Sequence, residues 1–251
     1  MELYKIKRLF ANILFPPKCI SCGELLDIEE NATKNLAICP DCIIKYRMAK
    51  AEVCEECNLA VSKCLCGVSK RGVETGKMPK LFYYRTDNES SVQSKIIYAL
   101  KHKNDIRFAE FLSDELAISV SGLLREQKID PTECIFTYVP RRNKALCEDG
   151  FDQGQRIASC LSEVFDCKRN FRRLFVRVGG QEQKKLDANA RKANIKNTVK
   201  LHKNAKNIVA GKVVLLVDDL VTSGTTMSVA KSLLVAAGAQ DVICITVART
   251  K

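Results

Sequence analysis

Two adjacent carboxylates and a run of hydroxyls occupy one short stretch near the end of this 251-residue chain. Asp218 and Asp219 follow five apolar residues, and Gly224 lies among four hydroxyl side chains, those of Thr222, Ser223, Thr225 and Thr226. A glycine lets the backbone approach an anion closely, and hydroxyls add hydrogen-bond donors. Carboxylates repel phosphate but accept hydrogen bonds from sugar hydroxyls. The stretch therefore predicts a ribose 5-phosphate site, with the phosphate in the loop and the ribose hydroxyls on the aspartates.

The elements around this stretch place it at the edge of a sheet. Residues 213–217 are apolar and mostly β-branched, which predicts a buried strand of a parallel sheet. Residues 227–237 have helical apolar spacing. The loop between them thus ends at a helix N-terminus, where free N–H groups and the helix dipole favour a phosphate. An ordinary helix cap needs only one such side chain, so four hydroxyls favour ligand binding.

The chain has thirteen cysteines, and eight of them form four close pairs in its N-terminal part. Two C-x-x-C pairs lie sixteen residues apart, and a C-x-x-C and a C-x-C pair follow with six residues between them. These spacings are typical of zinc ligands, and the pairs are too dense for one redox dithiol. One or two structural zinc ions and a cross-braced pairing stay open. The two predicted ligand sets are Cys19, Cys22, Cys39 and Cys42, and Cys54, Cys57, Cys64 and Cys66.

Residues 1–72 are predicted to form a small zinc-ribbon domain, because they include few large apolar residues and a metal supplies folding energy in such domains. Residues 3–14 predict an amphipathic helix, packed on the protein or lying on a membrane surface. No apolar run reaches the length of a membrane span, and the N-terminus lacks a signal-peptide pattern. We expect a cytoplasmic protein, and association with a membrane through partners stays open.

Residues 73–251 alternate strand and helix patterns, which predicts an α/β domain with a parallel sheet and flanking helices. The predicted strands are residues 80–85 (at an edge), 134–139, 171–178, 213–217 and 242–247, and the predicted helices are 92–103, 105–124, 151–165 and 227–237. Cys134, Cys147, Cys160, Cys167 and Cys244 lack ligand spacing and are assigned mostly to the core, and His102 and His202 to the solvated surface.

The net charge of +12 comes from one segment of the chain. Residues 168–212 contain 14 Lys or Arg and only two acidic residues, whereas the other 206 residues carry 27 charges of each sign. This surplus is typical of a segment that binds a polyanion, or of a solvated basic loop.

The strand, the Asp-Asp pair, the Thr-Ser-Gly-Thr-Thr loop and the helix together resemble the signature with which phosphoribosyltransferases bind 5-phosphoribosyl 1-diphosphate (PRPP). Further runs extend the resemblance: residues 96–105, Val139-Pro140-Arg141-Arg142, Gly150-Phe151-Asp152-Gln153, and Gln183-x-x-Leu186-x4-Arg191-x-x-Asn194. With the cysteine pairs, they make the chain resemble the ComF family, late-competence proteins related to phosphoribosyltransferases.

The resemblance implies a type I phosphoribosyltransferase-like domain behind the zinc ribbon. It also implies handling of incoming single-stranded DNA during natural transformation, with a competence helicase or DNA-uptake channel as partner. Arg141 and Arg142 would bind the diphosphate of PRPP, and Mg²⁺ would bridge the diphosphate and the ribose hydroxyls. A hood over the site would contact the diphosphate or DNA through Gln183, Lys184, Lys185, Arg191, Lys192 and Asn194.

Two positions depart from the family pattern. Asp149 stands where an Arg is usual, which removes a positive charge, and Gly180 stands where a Thr is usual. Thr222 stands where the purine-salvage subfamily has an acidic residue. Three hypotheses stay open: a ComF-type DNA-uptake protein that binds PRPP and DNA, a catalytic phosphoribosyltransferase for nucleobase salvage or nucleotide modification, and a binding module whose PRPP site is a sensor.

Overall fold

The computed structural model describes residues 9–34, 36–70, 72–178 and 198–251. Its strands are β1 (Ser69–Lys70), β2 (Val73–Glu74), β3 (Phe82–Tyr84), β4 (Ile135–Tyr138), β5 (Phe175–Arg177), β6 (Val199–Leu201), β7 (Val213–Val221) and β8 (Asp241–Thr250). The centre of this part of the chain is a four-stranded parallel sheet in the order β3–β8–β7–β4. Two small antiparallel pairs, β1–β2 and β5–β6, lie outside it.

Helices flank the sheet, as the alternating pattern predicts. They are α1 (Ile28–Lys34), α2 (Pro40–Ala51), α3 (Val92–His102), α4 (Ile106–Glu126), α5 (Asn143–Asp149), α6 (Gln153–Val164), α7 (Ala205–Val209) and α8 (Thr225–Ala236). Residues 9–14 are also helical, and residues 3–8 of the predicted helix 3–14 lie outside the described part of the chain. In the described part of the chain, no helix combines the length and apolarity that crossing a membrane requires.

The central strand β7 is buried on both faces. Leu215 and Val217 belong to a core cluster with residues of α4 and α6, whereas Val214 and Leu216 belong to a second cluster with residues of α8. Successive side chains of a strand point to opposite faces, so a run of apolar residues suits a strand covered on both sides. The fold is therefore the predicted α/β arrangement with a parallel sheet.

Strand β7 is longer than predicted, because it runs through the two aspartates to Val221. The prediction ended the strand at residue 217, where the apolar run ends. The partner strand β8 extends it further: β8 pairs with β7 from Val213 opposite Asp241 to Val221 opposite Arg249. The carboxylates thus lie on a hydrogen-bonded strand rather than on a loop.

Part of the cysteine-rich segment packs into the first core cluster. Tyr46 of α2 is 1% exposed, and its ring meets Phe82 of β3 edge-on at 6.1 Å and Phe111 of α4 at 5.4 Å. The segment therefore has an apolar anchor in addition to its cysteines. The predicted domain boundary between residues 72 and 73 stays a prediction.

Candidate functional site

A cavity of about 280 Å³ opens at the carboxyl edge of the parallel sheet. Arg141 and Arg142 follow β4, and Asp218 and Asp219 lie on the neighbouring strand β7, where Tyr138 is opposite Val217. Thr226 from the first turn of α8 also lines the cavity. The sheet register thus brings together the predicted diphosphate and ribose residues, which are about eighty positions apart in the sequence.

The hydroxyl loop lies at the N-terminus of α8, as predicted. Gly224 precedes the helix in the left-handed conformation, with φ of 73°. Thr222 and Ser223 are exposed, Thr225 is buried, and the hydroxyls of Ser223 and Thr225 are 3.0 Å apart. Of the four hydroxyls, only that of Thr226 belongs to a residue lining the cavity.

Gly224 also has a neighbour that the sequence did not indicate. A Cβ atom on Gly224 would lie 2.9 Å from the Cβ of Val68, and both Val68 methyl carbons would be within 3.2 Å. Val68 follows the last paired cysteine by two residues. The end of the cysteine-rich segment therefore packs directly on the loop.

The carboxylates of Asp218 and Asp219 are partly buried next to each other, so their negative charges repel. Burial, followed by the charge of Asp219, raises the pKa of Asp218 well above its ordinary value, and Asp152 adds to the repulsion. Asp218 also accepts a hydrogen bond from the backbone N–H of Asp219, at 3.0 Å. A ligand that brings cations or hydroxyl donors would relieve this repulsion.

Asp152 holds the arginine loop in place. One of its carboxylate oxygens accepts from the backbone N–H of Arg141 at 2.8 Å, and the other caps α6 by accepting from Gln155 N at 3.0 Å. Burial raises the pKa of Asp152, and the charge of Asp219 adds to this, while the two backbone hydrogen bonds oppose it. The Gly150-Phe151-Asp152-Gln153 run thus positions the loop after β4.

Asp149, at the position where the ComF pattern usually has Arg, pairs with Arg141. Its Oδ2 lies 2.7 Å from Arg141 Nη1, and its Oδ1 lies 3.1 Å from His102 Nδ1. The hydrogen bond from His102 and the charge of Arg141 lower the pKa of Asp149. His102 is exposed, which confirms its assignment to the surface, and α3 also brings it against Asp149 of α5.

Two cations of the cavity have no role predicted from the sequence. Arg177, at the end of β5, donates from Nη1 to the carbonyl of Pro140 at 2.8 Å, and burial, with the charge of Arg142, lowers its pKa. Lys101 lines the same cavity, and its carbonyl accepts from the Gln153 side chain at 2.8 Å. Lys101 lies in the family-like run 96–105 and Arg177 lies in the basic segment 168–212, and these are the sequence signals for the two residues.

The predicted hood residues cannot be placed beside this cavity. Gln183, Lys184, Lys185, Arg191, Lys192 and Asn194 lie outside the described residues.

The eight paired cysteines form two quartets in chain order, Cys19/Cys22/Cys39/Cys42 and Cys54/Cys57/Cys64/Cys66, and within each quartet the sulfurs lie within 4.8 Å of one another. A zinc ion about 2.3 Å from each of four sulfurs holds them roughly 3.8 Å apart, and Cys22 Sγ lies 3.7 Å from Cys39 Sγ. The donor sets therefore fit two tetrahedral zinc sites, and the sequential grouping replaces the cross-braced alternative.

Each quartet contains one thiol with a lowered pKa. Burial raises the pKa of Cys54, but the hydrogen bond from the Tyr83 hydroxyl and one from the backbone of Glu56 bring it down to about 6. In the first quartet, backbone hydrogen bonds at Cys22, Cys39 and Ser21 outweigh burial and bring the pKa of Cys19 down to about 7. Since zinc binds thiolates, each quartet has a ligand that ionises readily near neutral pH.

The other five cysteines are free thiols outside the quartets. Cys134, Cys160, Cys167 and Cys244 are buried, which confirms their assignment to the core, whereas Cys147 is exposed on α5.

The C-terminal part of the chain matches a known protein family. Residues 152–251 match the family model for the phosphoribosyl transferase domain, and this range includes the two aspartates and the hydroxyl loop. No match to the chain was found among curated proteins. The C-terminal part of the chain is a phosphoribosyltransferase-type domain with a parallel sheet and flanking helices, and the cysteine quartets that precede it fit a zinc ribbon.

Proposed function

We propose that the cavity at the carboxyl edge of the sheet binds PRPP together with Mg²⁺. In this proposal the loop 222–226 receives the 5-phosphate, Asp218 and Asp219 accept hydrogen bonds from the ribose hydroxyls, and Arg141 and Arg142 bind the diphosphate. Mg²⁺ prefers oxygen ligands from carboxylates and phosphates, which this combination of ligand and site supplies.

The observation that carries the proposal is the separation of charges across one cavity. Lys101, Arg141, Arg142 and Arg177 supply cations, and the carboxylates of Asp218 and Asp219 lie on the adjacent strand. A diphosphate requires cations, whereas ribose hydroxyls require acceptors. PRPP presents both groups at neighbouring carbon atoms, and the family match supports a ligand of this kind.

Calorimetry with PRPP and Mg²⁺ on the full-length protein tests the proposal. Asp219→Asn should weaken binding by about 1.5–3 kcal/mol, the typical contribution of a charge-assisted hydrogen bond. Asp241→Asn is the matched control, because Asp241 begins β8 at the opposite, amino end of the sheet. Binding of equal strength in wild type and Asp219→Asn would show that the aspartates do not hold the ribose.

We further propose that the protein acts in DNA uptake, as a ComF-type protein of natural transformation that binds single-stranded DNA. The support is the resemblance across most of the chain and the surplus of 12 positive charges in residues 168–212, since a small anion does not require fourteen cations. A competence helicase or DNA-uptake channel is the proposed partner. Fluorescence anisotropy with labelled single-stranded DNA at several salt concentrations tests the DNA step.

A catalytic phosphoribosyltransferase is the alternative to binding alone. The exposed Thr222 stands at the position where the purine-salvage subfamily has an acidic residue, which argues against purine transfer. Release of diphosphate from PRPP upon addition of a nucleobase, a nucleotide or DNA would show transfer and identify the acceptor. A protein that binds PRPP but releases no diphosphate with any of them would be a binding module.

A further inference from the structure

Lys80 is a lysine with no exposed surface, in the loop that leads into strand β3. Its ammonium group donates to the carbonyl of Cys64 at 3.2 Å, to the sulfur of Cys64 at 3.2 Å and to the carbonyl of Cys66 at 2.9 Å. All three donors of the ammonium group are thus directed at the second quartet. Among the described residues, no carboxylate forms an ion pair with Lys80.

Buried lysines require a counter-charge, because a desolvated ammonium group is costly without one. Four thiolates carry two more negative charges than a zinc ion neutralises. In the second quartet this excess lies next to a buried cation, and the two charges compensate each other. Two backbone carbonyls and the ring of Tyr83, whose centroid lies 5.9 Å from the ammonium nitrogen, also stabilise the buried Lys80.

A second donor reaches the quartet from strand β3 itself. The Tyr83 hydroxyl, on β3, donates to the sulfur of Cys54 at 3.1 Å, and Tyr83 is 5% exposed. Arg249 of β8 donates to the carbonyl of Cys66 at 3.4 Å and to Glu56 at 3.0 Å. Side chains of two strands of the central sheet thus surround the second quartet.

The first quartet has a different environment. The sulfur of Cys19 accepts from the backbone N–H of Cys39 at 3.3 Å. Among the described residues, no lysine, arginine or tyrosine side chain donates to a sulfur of this quartet. The first quartet therefore serves as an internal reference for the second.

We propose that Lys80 and Tyr83 are positioning residues for the second metal centre. Each donates a hydrogen bond to a cysteine sulfur that would ligate the metal. Hydrogen bonds to the ligands of a metal orient them and adjust their basicity. The second quartet is then fixed by side chains of strand β3 and of the loop that leads into it. This inference does not depend on PRPP binding.

The test uses full-length protein and the variant Lys80→Met, which keeps the length of the side chain but removes the charge and the donors. Competition with a chromophoric zinc chelator should show one of two zinc ions bound about 10- to 100-fold more weakly, the usual effect of removing a partner of a metal ligand. The matched control is Lys77→Met. Lys77 lies three residues earlier, is exposed and pairs with Glu126, so both affinities should stay as in wild type.

A spectroscopic measurement separates positioning from general stability. Protein loaded with ¹¹³Cd should give two cadmium resonances, and Lys80→Met should displace one of them while the other keeps its position. Tyr83→Phe, which removes a single hydroxyl, should displace the same resonance and weaken the same zinc ion to a smaller degree.

The outcomes are distinct. Two unchanged affinities and two unchanged resonances in both variants would overturn the proposal, and so would equal weakening of both metal ions or a second quartet that takes up no metal. If Lys80→Met does not fold, Tyr83→Phe decides: one displaced resonance supports the proposal, and none overturns it.

Discussion

At the scale of single residues, the carboxylate of Asp218 destabilises the folded protein but contributes to the proposed binding of PRPP. Its carboxylate is buried beside Asp219, and these two causes raise its pKa. We therefore expect Asp218→Asn to raise the melting temperature of the unliganded protein and to lower PRPP affinity by about 1.5–3 kcal/mol. Thermal melts and calorimetry on the same preparation measure the two effects.

The pH dependence of this stabilisation has a defined sign. An unfolded Asp loses its proton near pH 3.9, whereas folded Asp218 keeps its proton to higher pH, so wild-type stability falls as the pH rises between these two values. The increase in folding stability from Asp218→Asn should thus be absent below about pH 3.9, grow as the pH rises, and level off above the pKa of Asp218 in the folded protein. A gain of equal size at all pH values would contradict the assignment to ionisation.

Replacing Gly224 by a larger residue would introduce both backbone strain and a steric clash, and the two effects can be measured separately. A non-glycine residue in the left-handed region costs about 1–2 kcal/mol, and the Val68 side chain leaves no space for a Cβ at Gly224. Gly211→Ala is the matched control, because Gly211 has φ of +67° and a Cβ added there would meet nothing within 4 Å. Gly224→Ala should destabilise the protein by about 1–3 kcal/mol more than Gly211→Ala, measured by chemical denaturation.

A double-mutant cycle with Val68→Ala isolates the steric part. The two substitutions should be coupled favourably by about 0.5–3 kcal/mol, since Val68→Ala removes two of the three carbon atoms nearest to the new Cβ and leaves only the Cβ of residue 68. Additive effects would mean that the contact between the cysteine-rich segment and the loop is not tight in solution.

At the scale of elements, α5 places Asp149 between the arginine loop and α3. Asp149 and the proposed diphosphate compete for the guanidinium of Arg141, whose Nη1 lies 2.7 Å from Asp149 Oδ2. Asp149→Asn removes the competing charge and should tighten the binding of PRPP and of free diphosphate, while ribose 5-phosphate binds as before. Weaker diphosphate binding would instead mean that Asp149 orients Arg141 for the ligand.

The quartets are the elements that should depend on metal. We expect two zinc ions per chain by elemental analysis and one in Cys19→Ser, because each quartet is complete without the other. In that variant the segment around the first quartet should lose its protection from hydrogen exchange, since structural zinc contributes directly to folding. Protein that contains no metal after purification without chelators would contradict this prediction.

At the scale of the whole molecule, the charge distribution predicts how DNA would bind. Aromatic residues are sparse in residues 168–212, where only Phe171 and Phe175 occur, so binding should be directed to the phosphates and insensitive to sequence. Each phosphate contact on a single strand contributes about 0.7 to the slope of log K against log salt. Replacing Lys184, Lys185, Arg191 and Lys192 with Gln should therefore flatten the slope by up to about 3.

The control for this experiment removes as many charges elsewhere. Lys34, Lys45, Lys95 and Lys128 are exposed and lie outside the basic segment. Their replacement with Gln changes the net charge equally but should leave the slope as in wild type. Equal slopes for wild type and both variants would mean that the segment is a solvated basic loop with no role in DNA binding.

The sequence by itself determined the local parts of this protein. The buried strand, the Asp-Asp pair, the hydroxyl loop and the following helix are contiguous, and their periodicity and residue types predicted the arrangement found in β7 and α8. The cysteine pairs predicted both quartets, because ligand spacing is a local property. The resemblance of several runs then predicted the phosphoribosyltransferase-type domain that the family match supports.

Only the tertiary structure decided which distant residues meet. The contacts of Lys80 with Cys64, of Asp149 with His102 and of Val68 with Gly224 join positions between 16 and 156 residues apart. No local periodicity encodes such contacts, because they depend on how strands pair and helices pack against the sheet. For the same reason the pairing with β8, rather than the end of the apolar run, set the end of β7 and the position of its two carboxylates.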